Sequence, residues 1–137
     1  DGEAYDGDMI DIKGTYTVND DMSVFAGMAS VGEEGFEYLG SGNMSGNWVT
    51  NGNLGQLAAD EENLYVGGSY SMGAFSLGAT MSTVTNTTDD SYERSATDIV
   101  VGYELNDNAA ISYRMVTDNN NTDVDTKYNW LTLTVTP

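Results

Sequence analysis

Histidine and cysteine are absent from the 137 residues, proline occurs once, and only 4 side chains are basic against 22 that are acidic. Without Cys or His there is no disulfide framework, no thiolate or imidazole metal site, no Ser-His-Asp or Cys-His nucleophile and no histidine pH switch. Any catalysis would rest on carboxylates alone. A formal charge of −18 repels phosphate backbones and anionic headgroups, which argues against nucleic acid as a partner and favours cations. No apolar run reaches the roughly 18 residues of a spanning helix. That absence leaves open a membrane barrel, whose strands hide their apolar surface in alternation. The chain begins at Asp1 with no charged segment leading into an apolar one, and so reads as a mature or trimmed chain. With 39% hydrophobic and 10% aromatic residues it is too apolar for a disordered acidic tail, and its length suits one domain, 1–137.

Alternation is what the chain does have. Ile10, Ile12, Gly14, Tyr16 and Val18 share one face, with Asp11, Lys13, Thr15 and Thr17 on the other. Leu64 to Met72, Phe75 to Met81, Ile99 to Leu105, Ile111 to Met115 and Leu131 to Val135 repeat the pattern, which is the period of a strand. Seven strands are expected, at about 9–18, 22–31, 63–72, 75–84, 97–105, 109–117 and 127–136. Each has the length that crosses a bilayer at a tilt.

The connections alternate in length. Asn19 to Asp21 and Asn106 to Asn108 read as three-residue hairpin loops pairing Val18 with Met22 and Leu105 with Ala109. Gly73-Ala74 reads as a two-residue type II′ turn pairing Met72 with Phe75. Long polar loops are expected at about 32–62, 85–96 and 118–126. Short turns at one end and long loops at the other predict an antiparallel up-and-down meander, all or part of a transmembrane β-barrel, with no helix of more than two turns.

In a membrane barrel the apolar stripe meets lipid and the polar face lines the lumen. Ile12, Val66, Leu77, Val101, Tyr113 and Leu133 then face lipid, and Thr80 faces inward with the pore-lining candidates Asp11, Lys13, Asp98, Glu104 and Arg114. The register places Arg114 opposite Val100 and diagonal to Asp98, so these charges form either a constriction with a transverse field or a salt-bridged plug. Tyr16, Tyr70, Tyr103 and Tyr113 are interface residues or ordinary strand formers.

The segment from Tyr70 to Glu104, YSMGAFSLGATMSTVTNTTDDSYERSATDIVVGYE, resembles the hairpin, acidic loop and "GY" strand of Rhodobacter-type general porins, and "VFAG" and "VGYELNDNAAISY" are similar in style to Gram-negative porins. The resemblance covers about half of the chain. It implies an outer-membrane β-barrel of a Gram-negative bacterium passing small hydrophilic solutes, not an enzyme. Such porins have about sixteen strands, and outer-membrane chains end on an aromatic residue where this one ends Thr136-Pro137. An eighth strand before Met9 or near Phe36 to Leu39, or completion of the barrel by another chain or a further copy, is therefore expected.

The remaining acids suggest little specific chemistry. Asp118, Asp123 and Asp125, and likewise Asp60-Glu61-Glu62, are candidates for weak calcium binding but lack the spacing of a calcium loop. Asp89 and Asp90 are paired carboxylates of the kind glycosidases use, here read as solvated loop acids. Trp48 lies in an Asn-Gly-rich segment that gives no reading. The acidic loops predict a weak cation preference for a channel. The competing reading is a soluble secreted acidic β-domain serving as a calcium-binding, adhesion or assembly module.

Overall fold

The computed structural model describes residues 7–35, 57–119 and 124–136. The strands are β1 (Met9–Asn19), β2 (Met22–Val31), β3 (Glu61–Met72), β4 (Phe75–Asn86), β5 (Glu93–Asn106), β6 (Ala109–Asp118) and β7 (Thr126–Val135). They form one antiparallel sheet in chain order, β1 to β7, and β1 and β7 are left as free edges, so the sheet is open among the described residues. No helix occurs there. The Phe36 to Leu39 segment, Trp48 and the residues before Gly7 lie outside the described residues.

Turn chemistry explains the tight end. Gly73 has φ 58° between the paired Met72 and Phe75, as a type II′ turn with glycine first requires. The two Asx-rich turns are one residue tighter than their sequence suggests. Asn19 pairs with Met22 and Asn106 with Ala109, and the register shifts at Val18 and Leu105. The cause is local: Asn19 Oδ1 accepts the Asp21 N–H and Asn106 Oδ1 accepts the Asn108 N–H, both at 2.9 Å, closing Asx turns that draw the asparagine into the ladder. The bulge absorbs the extra residue, so the faces of both strands are preserved.

At the opposite end the strands run further than apolar alternation predicts. β5 starts at Glu93 and pairs through Thr85 and Val84 of β4, which shortens the loop expected at 85–96. Asp60 takes φ 61°, tolerated by an Asp, and links two connections: its N–H bonds the Gly32 carbonyl and its carbonyl accepts the Thr87 N–H.

The two faces differ in an unusual sense. The buried strand residues (Ala29, Val31, Tyr65, Val84, Ala96 and Val116, with Glu61, Asn63, Ser82, Arg94, Asp98 and Asp118) all lie on the face that carries the polar half of each alternation. Leu57, just before β3, joins the apolar part of that cluster, and Met9, Tyr92 and Trp130 pack against it. The cluster sits toward the long-connection end. On the apolar face most of the large side chains are exposed, Ile12 at 63% and Leu133 at 62% among them, while Phe75, Ile99, Val101, Ile111 and Met115 are half-buried, and Tyr128 is the one exposed large hydrophobic in a strand that belongs to the other face.

Candidate functional site

The site is the polar face. Most of its charged groups fall into two clusters, one centred on β5 and β6 and the other on β1 to β3. On β5 and β6 the register Val100↔Arg114 sets Arg114 diagonal to Asp98, and the Arg114 Nε donates to Asp98 Oδ1 at 2.9 Å. The pair is graded in depth, with the Arg114 side chain 30% and the Asp98 side chain 9% exposed. Toward the long connections the same diagonal offset recurs with the signs exchanged. Arg94 on β5 grips Asp118 on β6 through Nε to Oδ1 and Nη2 to Oδ2, both 2.9 Å. This fork is deeper, with side-chain exposures of 10% and 2%. Bidentate guanidinium–carboxylate contact is the strongest geometry available to such a pair.

Two further groups meet the second pair. Glu61 Oε2 accepts the Ala58 N–H at 2.7 Å. The Tyr92 hydroxyl bonds Glu61 beside Arg94, and burial first, then the Glu61 carboxylate, push its pKa above 10.0. Next to it in the same connection, Asp89 accepts from the Ser91 hydroxyl and N–H, which hold its carboxyl below the usual 3.8. Among the described residues, Asn63 Oδ1 is the buried side-chain atom left without a hydrogen bond.

The second cluster belongs to β1, β2 and β3. The Tyr65 hydroxyl donates to Asp11 Oδ1 at 2.9 Å across the intervening β2. Gly27 lies between them in the ladder, Lys13↔Gly27↔Tyr65, and any Cβ there would overlap the Tyr65 ring. Glycine is required so that the ring can lie flat over the strand. Phe25 covers Gly67 of β3 in the same manner, and Lys13 Nζ sits 4.2 Å from the Phe25 ring centroid. Gly27→Ala is expected to destabilise the sheet by about 1 to 3 kcal/mol through overpacking. The loss should largely vanish in a Tyr65→Ala background, where no ring meets the new methyl; a urea-unfolding double-mutant cycle measures this.

Of the pore-lining candidates, Asp98 and Arg114 are brought together, and Asp11 and Lys13 share a cluster with Tyr65 and Phe25. Three strands separate the two groups. Glu104 is on the same face but exposed near the tight turn, opposite Ala110. Of the calcium candidates, Asp118 commits both oxygens to Arg94, Asp125 is exposed and Asp123 lies outside the described residues. No group of three or more acidic side chains placed to hold a metal ion occurs among the described residues. Sequence reasoning missed the Tyr65–Asp11 contact and the Arg94–Asp118 fork, although the register linking Asp98 to Arg114, extended by four residues, finds the fork.

No protein-family model, curated protein or solved structure matches the chain.

Proposed function

We propose that the chain forms all or part of a transmembrane β-barrel of a Gram-negative outer membrane, a porin-like passive diffusion channel for small hydrophilic solutes with a weak preference for cations. One observation carries the reading: the exposed face is the apolar one, and the ion pairs and the packed cluster are on the polar one. A water-soluble sheet buries its apolar stripe and wets the polar face, whereas a sheet in lipid does the reverse. Here lipid is the solvent that matches Ile10, Ile12, Leu64, Val66, Met81, Leu131 and Leu133.

Strands of 10 to 14 residues reach the roughly 9 to 11 that span a bilayer at a tilt. β1 and β7 run in the same direction in the meander, so antiparallel closure takes an odd number of additional strands. Those strands come from residues outside the described ones, from a longer chain or from a partner. Asp11, Lys13, Asp98, Glu104 and Arg114 then line the interior. This lining carries three acids and two bases, so selectivity arises at the mouth, where the acidic excess of the long connections concentrates cations. Screening confines that field to about 8 to 10 Å at physiological salt. Reconstituted in planar bilayers under a potassium chloride gradient, the protein should give a reversal potential of the cation-selective sign that shrinks as ionic strength rises. Anion preference, or no conductance, would defeat the channel reading.

A further inference from the structure

The apolar face is a band with margins, and the margins slope across the sheet. Moving from β1 to β7, the last apolar outward residue before the long connections is Ile10, Met28, Leu64, Met81, Ile99, Met115 and Leu131. The ladder relates these positions to one another. Leu131 pairs with Tyr113, which pairs with Val101, then Leu77, Tyr70 and Met22, a row that meets β1 at the bulged Val18 and so eight residues from Ile10. Eight residues are about 27 Å along a strand, and six strand spacings about 29 Å across it. The margin therefore crosses the strands on a slope of about 43°, within the tilt of roughly 35 to 45° that barrel strands adopt.

The outward aromatic residues test that slope independently. On the ladder, Tyr16 and Tyr103 lie two rows apart, four residues or about 13 Å of strand. Along the sloping line, Tyr16, Tyr70, Phe75 and Tyr103 fall within about one and a half residues of a common level, on the order of 5 Å, while Tyr113 lies about three to five residues nearer the long connections. That level lies in the tight-turn half of the band, about 2 to 5 Å in depth from Leu77 on the same slope. Charge follows the same geometry. The charged outward residues of the strands, Glu62, Glu93 and Lys127, all lie beyond the margin on the long-connection side, and the band itself has none.

We infer that the strands sit tilted by about 43° to the membrane normal, with Tyr16, Tyr70, Phe75 and Tyr103 at one depth in the tight-turn half of the apolar band and Leu77 and Val101 closer to the hydrocarbon midplane. The inference rests on the proposed membrane reading and adds the depth of each residue. Residues directly paired in the sheet then lie at different depths: along one row, Met22 is at the tight-turn surface, Leu77 deep and Leu131 at the opposite surface. On this slope the seven to nine residues of band in β1 to β6 rise about 17 to 22 Å, a little under the roughly 25 Å apolar band of an outer-membrane barrel.

The absence of cysteine makes the test direct. Met22→Cys, Leu77→Cys and Leu131→Cys, each spin-labelled in phosphatidylcholine vesicles, should give the highest ratio of oxygen to nickel-chelate accessibility at position 77 and low ratios at both others. Equal ratios at all three, with oxygen dominating throughout, would overturn the tilt while leaving the membrane reading in place. Free access of the nickel chelate to all three would instead overturn the membrane reading. Tyr16→Cys and Tyr103→Cys form a second set at the common aromatic level. They should report the same depth, and a separation of the order of their ladder distance would also overturn the tilt.

Discussion

Leu77→Arg is expected to cost about 2 to 4 kcal/mol of folding stability in a bilayer, the penalty of a guanidinium at the hydrocarbon midplane of a barrel. Two controls give that number its meaning. Leu131→Arg, on the same ladder row and far more exposed at 72% against 38% for Leu77, should cost only about 0 to 1 kcal/mol, because the slope places it at the interface. Exposure alone predicts little difference between them, since both are wet in a water-soluble sheet and surface substitutions stay within about 0.5 kcal/mol. Thr80→Arg lies on the opposite face beside its ladder partner Asp98, where a cation meets a carboxylate, and should be tolerated. Urea titration of vesicle-refolded protein measures all three. If Leu77→Arg is tolerated as well as Thr80→Arg, the apolar face does not meet lipid.

The meander and its faces were legible in the sequence because one physical rule, period-two alternation, generates both. The pairs Tyr70↔Leu77 and Val101↔Tyr113 and the diagonal Asp98–Arg114 contact follow from turn positions alone. What alternation does not encode is where a ladder stops. Backbone pairing continues past the apolar stripe through Thr85↔Glu93 and Ala96↔Asp118, where side chains are polar and read as loop. For that reason Arg94 and Asp118 looked like loop charges, and Asp118 like a calcium ligand. The Tyr65–Asp11 contact was hidden differently: it reaches across a strand, and its only sequence trace is a glycine, Gly27, among many. Asp11 and Lys13 share a face with Asp98 and Arg114, as alternation predicts, but their distance does not follow from alternation: three strands lie between β1 and β5.

Arg94→Met is expected to cost about 3 to 5 kcal/mol, because Asp118 would lose both charge-assisted bonds while remaining buried. Arg114→Met breaks a pair of the same offset whose arginine is 30% exposed and bonded through Nε, and water can partly replace it, so its cost should be smaller, on the order of 1 kcal/mol. Depth, not the presence of an ion pair, sets the difference. The double variant Arg94→Met/Asp118→Leu removes both buried charges and should recover most of the loss, since well-packed apolar replacements of buried pairs are often neutral or better. Equal costs for the two single variants would mean that the fork is solvated, and failure of the double variant to recover would mean that packing, not charge, is what Arg94 supplies. The double variant also leaves the net charge at −18. A cation preference set by the acidic connections should therefore survive it unchanged, whereas one set by the Arg94–Asp118 fork would shift.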